Sequence, residues 1–364
     1  MSNVAQERVR GNHIFCAIDL HQRTMLAGIA LDQGPVQFVS LDTDDEGGVA
    51  ELIGLLHEEA QRHPGSQVWV SYEASGCGFR LADFLAAEGF GVSVLAPSHL
   101  PVSLKKRSFK TDKRDVIRIL EVLRGHVLAG NDLPAVWIPS PELRDDREIV
   151  RRRLDLRERG AEVKNKIHGL LRRYGIKRPA GLKTLWSRKY VAWLRLTAAE
   201  LEFGAATVLL SLLRELDFYL GESESVEAEL VKLAESAWYQ AAVEALTRIK
   251  GVGVLTAMVF LTELGDMDRF GNRRQVSSYF GLVPRSYESG EHNDHKGHIS
   301  RMGPARVRKV LNQAAWSLVR WDESWREWFQ SRTRGGNKDR RKKMITAVMR
   351  KLGVRMWHAA QDAA

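Results

Sequence analysis

The chain has 364 residues, 44% hydrophobic and 27% charged, with a formal net charge of +10 and a pI near 9.6. Such a length accommodates two or three domains with real cores, and the basic balance points to a polyanionic partner, nucleic acid before membrane. No apolar run reaches the roughly 18 residues of a membrane span, and two cysteines, Cys16 and Cys77, are too few for a disulfide scaffold or a cysteine-rich zinc site.

The opening segment, MSNVAQERVRGNHIF, lacks a signal-peptide core, so a reducing, cytoplasmic compartment is expected. HIFCAIDL (13–20) reads as a buried strand carrying Asp19 near its end. MLAGIALD (25–32) and VQFVSLD (36–42) follow as strands, separated by the turn residues Asp32, Gln33 and Gly34. VAELIGLLHEEAQRH (49–63) has helical spacing, and QVWVSYEA (67–74) is a strand with Glu73 near its end. FRLADFLAAEG (79–89) is a helix closed by Gly89, GVSVLAP (91–97) a short strand, and TDKRDVIRILEVLRGHVLAG (111–130) a helix. Three meandering strands followed by helix–strand–helix–strand–helix predict a mixed sheet covered by helices, in the ribonuclease-H-like order. In that order the first and fourth strands are neighbours. Asp19 and Glu73 are then expected to face each other near the strand ends, where α/β sites lie.

Residues 143–178 form a long Arg-rich helical stretch. Residues 198–236 form a second, whose apolar face carries Leu209, Leu210, Leu212, Leu213 and Leu216. Together they predict a helical hairpin or coiled-coil arm between two domains, with Trp186 to Trp193 read as a capping turn. In RIKGVGVLTAMVFLTELGDMDRF, Gly251 and Gly253 make a tight turn before an apolar helix. This resembles one helix-hairpin-helix element, whose turn amides grip a phosphate; the competing explanation is a helix start that needs glycine for geometry alone. The expected division is α/β plus all-α: 1–140 a metal-binding mixed sheet, 141–238 a helical linker, 239–364 a mainly helical domain.

The positive charge is concentrated. From Arg144 to Arg178, 13 basic residues stand against 6 acidic ones, and from Ser331 to Arg355, 10 stand against 1. These windows, net +7 and +9, leave the rest of the chain at −6. They read as two places where a phosphate backbone lies.

Four acids form the first chemical constellation: Asp19, Glu73, Asp112 and Asp115. The last two, at i and i+3, lie on one face of a helix's first turn. Mg2+ takes oxygen ligands in a near-octahedral array and keeps waters, so a few carboxylates from different elements suffice. Two such ions roughly 4 Å apart would hold the attacking and leaving oxygens of a phosphoryl transfer. Lys110, Lys113 and Arg114 stand beside the acids to carry the scissile strand; any one acid taken alone reads more simply as surface charge. Serines form the second set: Ser277, Ser278, Ser286, Ser289 and Ser300. A serine can attack phosphorus and store bond energy as a phosphoserine, although most of these read as caps or turn residues. Ser289 stands out in its loop, before Gly290 and with Arg285, Lys296 and Arg301 nearby; Ser300 reads as a helix N-cap or a phosphate contact. His292, His295 and His298 do not follow a zinc-ligand pattern.

IDL with Asp19, YEASG with Glu73, KTDKRD with Asp112 and Asp115, then IKGVG, FGLVPRSYESG and ISRMGPARVRK together resemble the DEDD/serine transposases of insertion sequences. These are the bridge-RNA-guided recombinases, related to the Piv-type DNA invertases. The resemblance implies a RuvC-like first domain whose four acids bind Mg2+. It also implies a coiled-coil segment supporting a homodimer or homotetramer, and a transposase domain with its nucleophilic serine at Ser289. Arg306 and Arg308 of ISRMGPARVRK join the expected nucleic-acid contacts. A structured non-coding bridge RNA would pair with both donor and target DNA. Metal from one chain would act with serine from its partner, leaving a 5′-phosphoserine and a free 3′-hydroxyl. The His-rich EHNDHKGH and Pro304 depart from the family's usual pattern. Two alternatives stand beside this reading: a Mg2+-dependent junction nuclease in which Ser289 is structural, and a non-catalytic nucleic-acid-binding protein whose acids form only salt bridges.

Overall fold

The computed structural model describes residues 12–43, 46–100, 111–289 and 292–363. The chain divides into two compact units, Met1–Ile138 and Pro139–Ala364.

The first unit holds five strands: β1 (His13–Leu20), β2 (Thr24–Leu31), β3 (Gln37–Asp42), β4 (Gln67–Glu73) and β5 (Gly91–Leu95). They form one sheet in the order β3-β2-β1-β4-β5. β1 pairs antiparallel with β2 and parallel with β4, Ile18 lying opposite Tyr72. The first and fourth strands are therefore neighbours, as the element order requires. Alternation along the strands feeds two cores. Ile14, Cys16, Ile18, Val68, Val70 and Tyr72 pack with Leu52 and Leu56 of α1 (Glu46–Arg62) and Leu81 and Leu85 of α2 (Arg80–Ala87). Phe15 and Ala17 pack on the other face with Val116, Ile119, Leu120 and Leu123 of α3 (Asp112–Ala129), and Trp69 lies against the same cluster. Successive side chains of a strand point to opposite faces, so Asp19 follows Phe15 and Ala17, and Glu73 follows Trp69, onto the α3 face. Gly28 allows α3 to lie close on β2, since a Cβ there would sit 2.5 Å from Val116 Cγ1.

The second unit begins with α4 (Pro141–Arg173), started by Ser140, whose Oγ accepts from Leu143 N, and by Pro141 in the first turn. α6 (Phe203–Ala234) packs antiparallel to it: Val163, Ile167 and Leu170 near the end of α4 meet Leu209, Leu213 and Leu216 near the start of α6. The opposite ends, Val150 and Leu154 with Leu230 and Ala234, belong to a larger core. That core is built from α7 (Gln240–Thr247), α8 (Val254–Leu264), α9 (Arg273–Tyr279), α10 (Ala305–Trp321), α11 (Glu323–Thr333) and α12 (Lys338–Gln361), with Ala257 to Leu264 of α8 wholly buried. β6 (Pro284–Ser289) and β7 (His292–Ile299) form an antiparallel hairpin. Among the described residues, no helix is long and apolar enough to cross a membrane.

Four sequence expectations are corrected here. The segment read as a capping turn is a helix, α5 (Arg188–Ala199). Ser187 Oγ accepts from Tyr190 N, and the helix buries Tyr190 and Leu194 in the α4–α6 core. The segment read as a loop around Ser289 is the β6–β7 hairpin; its sequence shows no apolar alternation, because backbone pairing in a two-stranded ribbon needs no buried face. Ser300 caps nothing: α10 starts after Pro304, while Ser300 N donates to Val283 O. The Arg-rich window of α4 is partly internal structure. Arg147 Nε donates to Thr262 O at 2.7 Å and its Nη2 to Glu263 O at 3.2 Å, satisfying carbonyls at the end of α8. Arg151 pairs with Glu263 at 3.0 Å and Arg153 with Glu227, so these guanidiniums are already committed.

The two cysteines report on the sheet. Burial pushes the Cys16 thiol up to about 12, whereas Cys77 is exposed. The thiolate is the reactive form, so the native chain should titrate one thiol rapidly at pH 8 with a chromogenic disulfide, the second appearing only on denaturation. Two fast equivalents would contradict the buried position of β1.

Candidate functional site

The site lies at the end of the α3 face of the sheet. Asp19 is carried by β1, one residue from its end, and His21 follows directly after the strand. Asp112 and Asp115 occupy the first turn of α3, where the unpaired amides of a helix N-terminus favour negative charge. Ligand atoms of Asp19, His21 and Asp112 all lie within 4.8 Å of one another. His21 Nε2 is 3.4 Å from Asp19 Oδ2, so the imidazole also orients that carboxylate.

Glu73 and Asp115 meet through a cation. Arg118, one turn along α3, reaches Glu73 Oε1 with Nη2, and the same nitrogen is 3.2 Å from Asp115 Oδ1. Side-chain exposures of 28% for Arg118, 30% for Glu73 and 13% for Asp115 place this contact between surface and core. Arg118 Nε is buried and makes no hydrogen bond, so the guanidinium is committed to the carboxylates through one end of its fork. The fold thus brings Asp19 and Asp112 together, adds His21, and joins Glu73 to Asp115 through Arg118. Two carboxylates no more than 4.8 Å apart repel by at least roughly 3 kcal/mol at an effective dielectric of about 20. A divalent cation between them reverses that sign.

His21 and Arg118 have only faint sequence signals. A lone histidine two residues beyond Asp19 is common without function. Arg118 stands i+3 from Asp115, a spacing equally found on solvated helices.

The residues nominated for nucleic-acid contact are placed unevenly. Lys110 lies outside the described residues. Lys113 Nζ sits 5.3 Å from the Phe38 ring centroid, and Arg114 is exposed. Gly251 has φ +87°, and a Cβ there would lie 2.8 Å from Ala314 O, so packing against α10 accounts for that glycine. Gly253 is the N-cap of α8. Arg285 and Arg301 are exposed, with Arg285 Nη2 donating to Ser300 O. Arg306 is half-buried. Arg308 Nη1 donates to Phe280 O at 3.1 Å and Gly303 O at 2.8 Å, a bracing role, and burial draws its pKa below the usual arginine value. Ser289 closes β6 in register with His292, at the turn end of the hairpin; its side chain, like that of Lys296, lies outside the described residues. Ser277 is buried, its Oγ donating to Arg273 O at 2.8 Å, which removes it from the candidate nucleophiles.

Known proteins match in both units. A family model described as a transposase, of the DEDD type, matches residues 16–176, a span containing all four acids. One described as the transposase IS116/IS110/IS902 family matches residues 243–330, which include Ser289. A Sinorhizobium fredii protein provisionally named as transposase y4rJ is 31% identical over 337 residues, covering 86% of this chain and 83% of that one. A second, provisionally named as transposase y4qE, is 30% identical over 250 residues, covering 69% of this chain and 58% of its own length. The transposase for insertion sequence element IS1111A of Coxiella burnetii is 28% identical over 235 residues, 64% of this chain and 60% of that protein. A DEDD domain implies use of a divalent metal, and the hard carboxylate donors of Asp19 and Asp112 fit one. With both family models matched in order and a relative aligned along most of both chains, this protein belongs to the IS116/IS110/IS902 family of insertion-sequence transposases.

Proposed function

We propose that the chain is an RNA-guided DNA recombinase that moves its insertion sequence by phosphoryl transfer, with Asp19, Glu73, Asp112 and Asp115 holding Mg2+ and Ser289 attacking the strand. The observation that carries the metal half is the convergence of Asp19, His21 and Asp112 within 4.8 Å, from a strand and a helix some ninety positions apart in sequence. Asp19 and Asp112 would be the inner ligands. His21 holds Asp19 in place, and Arg118 holds Glu73 and Asp115. Bound Mg2+ would supply charge neutralisation and polarisation of a phosphate. Ser289 Oγ would form a bond to phosphorus as the bond to the 3′-oxygen breaks. The serine proton is lost to solvent and the 3′-oxygen takes one up, giving the 5′-phosphoserine and the 3′-hydroxyl.

In this reading the acids of one subunit serve the serine of its partner in a homodimer or homotetramer. Sequence choice would rest on base pairing by a structured bridge RNA with donor and target DNA, the protein reading backbone and shape. The exposed basic stretch at the start of α12 suits that role. A second reading, a junction-type metal nuclease, is favoured by one observation: the Asp19–His21–Asp112 cluster is complete without any serine.

Two measurements test these readings. Mn2+ titrated into the purified chain and followed by electron paramagnetic resonance should bind at least about tenfold more weakly to Asp19→Asn and to Asp112→Asn; unchanged affinity in both would place the metal elsewhere. With substrate DNA, denaturing electrophoresis should reveal a covalent protein–DNA adduct that Ser289→Ala abolishes while DNA binding stays within about twofold. Strand cleavage that persists in Ser289→Ala without any adduct would select the nuclease.

A further inference from the structure

The end of α10, α11 and the start of α12 border an open cavity of about 550 Å³ that the cleavage chemistry does not use. Its size falls within the roughly 300–1,000 Å³ of small-ligand clefts. Three aromatic residues and three arginines line it: Trp316, Trp321 and Phe329, with Arg320, Arg326 and Arg341. No carboxylate is among the lining residues. Phe329 is buried and meets Trp316 edge-on at 5.7 Å, which fixes that indole's plane. Trp316 and Trp321 nevertheless remain 41% and 68% exposed. Arg326 Nη2 donates to Arg320 O at 3.2 Å, tying one guanidinium to the end of α10. The neighbouring Asp322 does not neutralise the pocket: its carboxylate caps α11 by accepting from Trp325 N, bonds Ser324 and faces Lys250.

We propose that this cavity binds an unpaired nucleotide, its base stacked on the exposed indoles and its phosphate held by the arginines. Exposed indoles and guanidiniums without an acid suit a ligand with both a π-face and negative charge. Single-stranded nucleic acid provides both, because every base has a π-face and stacking tolerates any sequence. A duplex offers phosphates alone, its bases already being stacked on one another, and would leave the indoles unused. The proposal rests on the reading that this unit holds nucleic acid; it does not depend on cleavage. An unpaired nucleotide can come from RNA or from an opened DNA strand, and the cavity chemistry is shared by both.

The test measures fluorescence anisotropy of the full chain with labelled oligo(dT), oligo(rU) and a blunt duplex, each about twelve nucleotides or base pairs long. Trp321→Ala should weaken single-strand binding at least about tenfold and leave duplex binding within about twofold, and Trp321→Phe should recover most of the loss. Trp238→Ala, removing an 84% exposed indole outside the cavity, should change neither. A loss confined to oligo(rU) assigns the pocket to RNA, a loss confined to oligo(dT) to DNA, and a loss in both to either strand; each supports the site. Unchanged single-strand affinity in Trp321→Ala, or an equal loss for the duplex, overturns it, as does a variant that only converts an oligomer to a monomer in sedimentation. If the wild-type chain binds none of the three probes, the nucleic-acid reading of the unit fails as well; if it binds and Trp321→Ala is silent, only the pocket fails.

Discussion

Carboxylates crowded at one end of a sheet face repel one another, and the first unit is organised around keeping them there. The force that does so is the seating of α3. Val116, Ile119, Leu120 and Leu123 are each about 1% exposed or less against β1 and β2. At about 1.5–3 kcal/mol for each buried aliphatic side chain, they contribute on the order of 6–12 kcal/mol, an upper bound given residual burial in the unfolded chain. That exceeds the roughly 3 kcal/mol of repulsion between the inner carboxylates, so packing decides where Asp112 sits and electrostatics must adapt. The adaptation is visible in His21 beside Asp19 and in Arg118 between Glu73 and Asp115.

The second unit uses its positive charge in two ways. Along the first half of α4, guanidiniums are turned inward: Arg147 satisfies the last carbonyls of α8, and Arg151 and Arg153 are paired with Glu263 and Glu227. These contacts fix α4 to α8 and α6, while Arg152 and Arg157 stay exposed. Around α11 and α12 the cations stay at the surface and lie on aromatic faces. Arg332 and Lys351 each stand 4.5 Å from the Trp328 ring, and a separate cavity combines two indoles with three further arginines. Two sequence windows of similar net charge, +7 and +9, thus place that charge differently.

Much of the first unit was legible in the sequence because its signals are physical and local. Short apolar runs bounded by turn or polar residues marked β1, β2 and β4. Gly89 marked a helix end, and the order of elements fixed which strands are neighbours. Once the parity of Phe15 and Ala17 is known, the direction of Asp19 follows. The convergence of Asp19 with Asp112 was legible only as topology, since no local pattern measures a distance between residues ninety positions apart. His21 and Arg118 were not legible: each is one polar residue at a common spacing, and what defines it is a partner from another element. The hairpin carrying Ser289 was missed for a different reason. A two-stranded ribbon is stabilised by backbone pairing, which leaves no mark on side-chain hydrophobicity.

The two tightly placed glycines show how far geometry alone can account for a motif. Gly251 resembles a phosphate-gripping turn in sequence, yet its positive φ and the Ala314 carbonyl 2.8 Å from the Cβ position already require glycine. Gly28 carries no motif at all, yet it lies where α3 packs closely on β2. A methyl group there would sit 2.5 Å from Val116 Cγ1 and 3.0 Å from Val36 Cγ1, so a side chain or α3 itself would have to shift. The approach of Asp112 to Asp19 thus rests on close helix–sheet packing, to which a residue with no polar atom in its side chain contributes.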